Sequence, residues 1–273
     1  MRPVDPCGLK RALLINDLSC FGKCSLSVSL PILSAYGVEA VPLPTAVLST
    51  HTSGFTGYAS VDMTEVLRRF PAHWAQLGLR FDCIAVGYCT SAEQLRLAAA
   101  LIRSLADEHT LVVVVDPVLG DQGALYPGLK EAQVEAMREL CSLARWITPN
   151  RTEAALLAGL PASAGDRTLL QALQTENTVI TSIQRENTIG FLARLGGQEV
   201  LLQQERLPLT PLGAGDVFTS ALCGELLSGK GPREALERAA GFCHRCIQET
   251  AKRQPGHWYG LAFEPALKGI WYE

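Results

Sequence analysis

Gly213-Ala214-Gly215-Asp216 concentrates more chemistry than any other stretch of this chain. Two glycines and an alanine let bare backbone N–H groups converge on an anion, with a carboxylate immediately behind them. The apolar residues that follow, Val217, Phe218, Ala221, Leu222 and Leu226, have helical spacing. The N–H groups are therefore expected to open a helix, whose dipole would keep Asp216 ionised. Such an apparatus moves a phosphoryl group onto an alcohol. A glycine-rich turn that merely feeds a helix has the same four residues, so the rest of the chain must decide.

Further candidates stand where strands should end. Asp116 closes the valine-rich run at 111–115, apolar at every position as in a strand covered on both faces. It begins Asp116-Pro117-Val118-Leu119-Gly120-Asp121, and two carboxylates on one loop suit a magnesium ion bound largely through water and nucleotide phosphates. A polar turn restricted by Pro117 would read the same way. Thr148-Pro149-Asn150-Arg151-Thr152-Glu153 follows the strand-like Trp146-Ile147. Alone it is a helix start, because Asn150 and Glu153 have capping-box spacing. Thr181-Ser182, after Val179-Ile180, is a hydroxyl pair that could hold a phosphate or start a turn. Cys243-His244-Arg245-Cys246 tempts a metal reading, but both thiols fall on the apolar face of a helical pattern with Leu236, Ala239, Ala240, Ile247 and Thr250. With no second Cys/His pair at ligand spacing, they are expected to be core filler.

The elements that must position these residues alternate between strand and helix. Strand-like 12–15 leads to a helix at 25–36 closed by Gly37; strand-like 83–86 leads to a helix opened by Ser91 and Gln94 as a capping box. After the run at 111–115 come a helix at 131–143, strand-like 146–147, helices at 153–158 and 167–173, strand-like 179–180 and a helix at 233–251. This is the rhythm of a mostly parallel sheet, whose ligands bind beyond the carboxyl ends of the strands. Two regions break it: 38–49, where Pro42 and Pro44 interrupt β-forming residues, and 187–202, a hairpin around Gly196-Gly197.

No internal repeat, low-complexity linker or charge run marks a boundary, so 1–273 is expected to form a single domain with 1–10 as an N-terminal extension. A formal net charge of −3 without a Lys/Arg run leaves no footprint for nucleic acid or an anionic membrane, and favours a small-molecule partner. No apolar segment approaches a membrane span, and 1–10 lack the apolar core of a signal peptide; a soluble cytoplasmic protein is expected. Nine cysteines, odd in number and scattered, suggest reduced thiols.

Taken in order, Asp-Pro-Val-Leu-Gly-Asp at 116–121, Thr-Pro-Asn-x-x-Glu at 148–153, Thr-Ser at 181–182 and Gly-Ala-Gly-Asp at 213–216 resemble the ribokinase-like kinases, especially their pyridoxal kinase branch. Within the similarity, which spans about residues 11–250, Asn16-Asp17-Leu18-Ser19, His51-Thr52 and Gly87-Tyr88 look like the vitamin-binding positions. The resemblance implies a three-layer α/β fold with a central, mostly parallel sheet flanked by helices and a small β flap. It implies ATP-dependent transfer to the 5′-hydroxyl of a B6 vitamer, by a cytoplasmic homodimer that uses Mg²⁺, with a monovalent cation as a further candidate. Asp216 would be the base, and Gly213, Ala214 and Gly215 the anion hole. Asp116, Asn150, Glu153, Thr181 and Ser182 would meet ATP, and Asp121, Thr148 and Glu153 the metal. Tyr88 would pack on the pyridine ring, with Asp17, His51 and Thr52 at its polar edge. Many pyridoxal kinases carry Ser-His where this chain has Asp17-Leu18, and a threonine in place of Ala214; a carboxylate at 17 could prefer a positively charged ring. A hydroxymethylpyrimidine kinase, a sugar kinase and a non-catalytic B6-binding protein of the same fold are the competing expectations.

Overall fold

Apolar residues of both layers alternate along the first strand, and that alternation sets the architecture. A computed structural model describes residues 8–105, 111–210 and 212–271, so most of the N-terminal extension, with Cys7, lies outside the described residues. The elements run β1 (Arg11–Phe21), α1 (Leu26–Ala35), β2 (Glu39–Thr50), β3 (Ser60–Asp62), α2 (Thr64–Gln76), β4 (Cys83–Val86), α3 (Ala92–Leu105) and β5 (Val112–Val115). There follow β6 (Gly120–Asp121), β7 (Ala124–Leu125), α4 (Glu131–Cys141), β8 (Trp146–Ile147), α5 (Arg151–Ala158), α6 (Asp166–Ala172), β9 (Asn177–Arg185), β10 (Thr188–Leu195) and β11 (Gln198–Glu205). The chain closes with α7 (Ala214–Leu227), α8 (Pro232–Ala251) and α9 (Glu264–Leu267).

The main sheet has nine strands in the order β11-β10-β9-β8-β5-β4-β1-β2-β3. Its central ladders are parallel, and the antiparallel strands β3, β10 and β11 close the two edges. Leu13 and Ile15 pack towards α2 to α6, whereas Ala12 and Leu14 pack towards α1, α7 and α8, giving three layers with a core on each face. The hairpin β6–β7 stands apart from this sheet. Among the described residues no helix is long and apolar enough to cross a membrane, and the eight described cysteines are free.

Three expectations need correcting. The region 38–49 does not break the rhythm: it is β2, in parallel register with β1 at Leu14↔Pro42 and Asn16↔Pro44. Its prolines are tolerated because β3 pairs only with Ala46, Val47 and Leu48, leaving the outer edge at Pro42 and Pro44 without a ladder partner. Asn16 to Ser19 do not follow the first strand but lie within it, where the β1–β2 register slips by one residue opposite Thr45 and Ala46. Likewise Thr181 and Ser182 lie inside β9, as a bulge opposite Phe191 of β10, with Ser182 at φ 60°.

Candidate active site

Parallel register aligns Ile15, Val86, Val115 and Ile147 across four adjacent strands. The next residue of each strand, Asn16, Gly87, Asp116 and Thr148, therefore forms a row at the carboxyl edge. Backbone bonds fix it: Gly87 N donates to the Ile15 carbonyl at 2.9 Å, Asp116 N to Val86 at 2.8 Å and Thr148 N to Val115 at 3.0 Å. Helix α7 begins against this row. Asn16, Gly87, Asp116, Asp216 and Thr219 line a cavity of ≈ 20 Å³ there, about the space of one water.

Gly213 is the N-cap of α7, at φ 75°. The first intrahelical N–H is that of Val217, donated to the Gly213 carbonyl at 3.1 Å, so the N–H groups of Ala214, Gly215 and Asp216 stand ahead of the helical ladder. A side chain at 213 is excluded twice over, by the positive φ and because a Cβ would lie 2.1 Å from the Lys23 carbonyl oxygen. Lys23 is itself held from the other side. Its N–H donates to the Tyr259 carbonyl at 3.0 Å, and it bridges to Gly260.

Asp216 occupies the third position of the helix, so it is not the cap. Burial raises its pKa to about 6; the Ser25 backbone N–H and the Asn16 amide oppose the rise and the Asp17 charge adds to it. Burial is the largest of these causes. Asp116 is pushed up to about 7, by burial first and then by Asp216, against the hydroxyls of Thr148 and Thr219. Burial and then Asp116 hold Glu153 well above the carboxylate range, although the N–H groups of Asn150, Leu119 and Gly120 oppose them. Cys24, beside Asp216 and Asp17, is pushed up to about 12 chiefly by burial, so it stays a neutral thiol.

Around these carboxylates the capping box proposed for Asn150 and Glu153 is present: Glu153 N donates to Asn150 Oδ1 at 3.0 Å and Asn150 N to Glu153 Oε2 at 2.8 Å. Each side chain has a second task. Glu153 Oε1 accepts the Leu119 N–H at 3.1 Å, and Asn150 Nδ2 donates to the Gly120 carbonyl at 2.8 Å, which ties the 116–121 loop to α5. Thr148 shares a hydrogen bond of 3.0 Å with Thr219. Asp121 is exposed on the β6–β7 hairpin, its Oδ1 taken by the Gln122 N–H at 2.8 Å. Thr181 bridges to Asn150, and Ser182 is exposed.

On the other side of Asp216 the side chains of Asp17 and His51 are paired within the protein, while the buried Thr50 hydroxyl beside His51 has no partner. Asp17, 5% exposed, accepts the hydroxyls of Ser25 at 2.5 Å and Ser19 at 2.9 Å, while burial raises its pKa. His51 Nδ1 accepts the Ser53 N–H at 3.2 Å, which leaves Nε2 to donate to the Tyr259 carbonyl at 3.1 Å. A Cβ on Gly22 would lie 2.1 Å from that ring. Tyr88 is half-buried, with its N–H on Asn16 Oδ1 at 2.9 Å and its carbonyl accepting the Thr45 hydroxyl at 2.8 Å. Burial, then Asp17 and Tyr58, raise its phenol pKa, so the ring sits among those residues. Thr52 is exposed.

The structure thus brings together Asp216, Asp116, Glu153 and Thr148, and beside them Asp17 and Tyr88; Asp121, Thr52 and Ser182 lie at the exposed rim. Pattern reading misses two neighbours of Asp216, Ser25 and Thr219, and gives the third, Asn16, only as one of the vitamin-binding positions. Asn16 continues the Ala12–Leu14 face, Ser25 gives Asp216 its N–H, and Thr219 follows Asp216 by one helical turn. Strand alternation and helical spacing were the available signals. Cys243 and Cys246 are buried in the α7–α8 core, and Cys243 Sγ donates to the Ala214 carbonyl at 3.6 Å.

Comparison with known proteins gives this geometry its relatives. The model of the phosphomethylpyrimidine kinase family matches residues 29–261. A pyridoxine/pyridoxal/pyridoxamine kinase of Bordetella avium is 32% identical over 256 residues, covering 84% of this chain and 82% of the relative. The crystal structure of pyridoxal kinase from Lactobacillus plantarum superposes with a TM-score of 0.90 at 36% identity, covering 97% of this chain and 98% of that one. A Bacteroides thetaiotaomicron protein described as a phosphomethylpyrimidine kinase, in a crystal form with pyridoxal, superposes with a TM-score of 0.89 at 32% identity over 96% of each chain. The chain belongs to the phosphomethylpyrimidine kinase family and, within its ribokinase-like fold, to the pyridoxal kinases.

Proposed function

We propose that this chain transfers the γ-phosphoryl group of ATP to the 5′-hydroxyl of a B6 vitamer. The observation that carries the reading is the Asp216 carboxylate at the third position of α7, directly behind the N–H groups of Ala214 and Gly215, which stand ahead of the helical ladder. Asp216 takes the hydroxyl proton as the oxygen attacks the γ-phosphorus; the bond to the β,γ-bridging oxygen breaks and ADP leaves. The N–H groups of Ala214 and Gly215 face the charge that spreads over the equatorial oxygens, where alignment and neutralisation supply most of the catalysis. Tyr88 stacks on the pyridine ring, Asp17 meets its polar edge, and Thr52 stands at the rim. His51, with both ring nitrogens engaged, shapes this wall through its ring rather than by donating to the vitamer.

The oxygens of Asp116, Glu153, Thr148 and, from the hairpin, Asp121 are the hard donors Mg²⁺ takes; among the described residues no three His, Cys, Asp or Glu could hold a metal by themselves, so water and nucleotide phosphates would complete its coordination, and the cation would relieve the Asp216 charge on Asp116 and the Asp116 charge on Glu153. Bound there, magnesium would neutralise the ATP phosphates. Asn150, Thr181 and Ser182 line the adjoining strand end on the nucleotide side. The chain acts as one domain, a reading supported by a single main sheet built from strands between Arg11 and Glu205.

The test is a turnover panel with ATP and pyridoxal, pyridoxine, pyridoxamine or hydroxymethylpyrimidine, each with magnesium and with excess chelator. One ADP per vitamer 5′-phosphate, lost in chelator, is expected. Preferential turnover of the pyrimidine would replace the substrate assignment, and vitamer binding without ADP formation would make the protein a carrier.

A further inference from the structure

We propose that Asn16 is the positioning residue for Asp216, its side-chain amide holding the carboxylate in the orientation from which it accepts the substrate proton. This rests on the kinase reading above and adds a residue to it. Strand alternation puts Asn16 on the face of Ala12 and Leu14, towards α7, although it lies 200 residues from its partner.

The amide has only one workable orientation. Its Oδ1 accepts two backbone N–H groups, from Asp17 at 3.0 Å and from Tyr88 at 2.9 Å. An N–H cannot be paired with an NH₂, so the flipped amide would orphan both donors. Nδ2 is thereby turned towards Asp216 Oδ1, 3.3 Å away. At that length the bond is weak in the ligand-free form, with room to tighten as the hydroxyl docks. The side chain also lacks lateral freedom: it is 8% exposed, and a Cβ on Gly87 would lie 2.4 Å from Nδ2. One amide therefore couples β1, the vitamer-side turn at Gly87-Tyr88 and the start of α7. Movement of Tyr88 on a bound ring is transmitted to the base through two hydrogen bonds.

The experiment compares Asn16→Ala, Asn16→Asp and Asn16→Ala in an Asp216→Asn background with wild type, using thermal unfolding and ATP-binding calorimetry as controls. Asn16→Ala is expected to lower kcat about 10- to 100-fold, the scale of a misaligned reacting group, with KM for ATP within about twofold of wild type. Asn16→Asp keeps an oxygen for both backbone donors but turns a second carboxylate oxygen on Asp216, so it should not rescue kcat. In the Asp216→Asn background, Asn16→Ala should cost less than about twofold more, because the group it positions is already gone. Wild-type kcat in Asn16→Asp would show a backbone brace and overturn the proposal, as would losses that multiply in the double variant or near-native kcat in Asn16→Ala. If the alanine variant does not fold, Asn16→Asp alone decides. Failure of the kinase reading looks different: the wild type itself would turn over no vitamer.

Discussion

Both ring nitrogens of His51 have partners inside the protein, whereas around Asp116 three carboxylates confront one another. The vitamer side is finished before ligand arrives: Asp17 holds two hydroxyls, Asn16 three groups and Tyr88 a backbone clamped at both ends. On the side proposed for the phosphates the acids also have partners, Glu153 in backbone N–H groups and Asp116 in two threonine hydroxyls, but burial and neighbouring carboxylates raise their pKa values. Pre-paired groups give shape and selectivity at little cost on binding. Neighbouring acids instead store a demand for positive charge, which on the function proposed here the nucleotide's counter-ion would meet. One end of the site is a mould and the other a trap.

The sharpest way to break this contrast is Asp216→Asn. The amide is nearly isosteric and Asp216 is not the helix cap, so folding should be intact while kcat falls by about two to four orders of magnitude. Near-native turnover in a variant with an unchanged unfolding midpoint would remove the base from the mechanism. On the mould side, Tyr88→Ala should raise the Michaelis constant for the vitamer about tenfold and leave that for ATP nearly unchanged, because stacking contributes on the order of 1 kcal/mol beyond area burial. Equal effects on both substrates would erase the boundary between the two ends.

A stability measurement sharpens the trap. The native pKa of Asp116, about 7, and of Asp216, about 6, lie above the usual 3.8. The folded protein thus binds protons that the unfolded chain has released. Their contribution to stability is fully present below about pH 4 and is lost as the pH rises through 6 to 7. Asp116→Asn should therefore raise the unfolding midpoint of ligand-free protein at pH 7.5 by about 2–8 °C and flatten its pH dependence, with a smaller difference once magnesium and ATP are present. A lower midpoint would mean that the carboxylate is stabilising as it stands. The smallest effect is expected from Cys243→Ser with Cys246→Ser. Both thiols lie in the α7–α8 core, so the double variant should lose some stability and no metal; stoichiometric zinc in wild type that vanished in the variant would contradict this.

Much of the trap was legible in the sequence because its parts are local. The valine run ending at Asp116, the Asn150–Glu153 box and Gly213-Ala214-Gly215 each announce a strand end or a helix start within six residues. The apolar face of α8 was readable for the same reason. The mould was less so. His51 meets Tyr259, and Asn16 meets Asp216, through pairings between distant segments. The bulge at Thr181-Ser182 and the slip opposite Thr45 depend on the partner strand rather than on composition. Helix α2 escapes pattern reading because Pro71 stands inside it and only Leu67 is buried. Nor does a motif reveal that burial raises the pKa of Asp216, since desolvation belongs to the whole packed site.

The placement of Lys23 between Gly213 and Tyr259-Gly260 bears on the order in which the protein is made. Every motif named above for the family resemblance has been synthesised once Asp216 is added, yet the segment that backs the Lys23 turn and receives the His51 proton donor comes more than forty residues later. A nascent chain stopped just after α8 would carry every one of those motifs and a Gly213 turn without its backing. The turn that opens α7 is thus completed late, by residues that belong to none of the motifs.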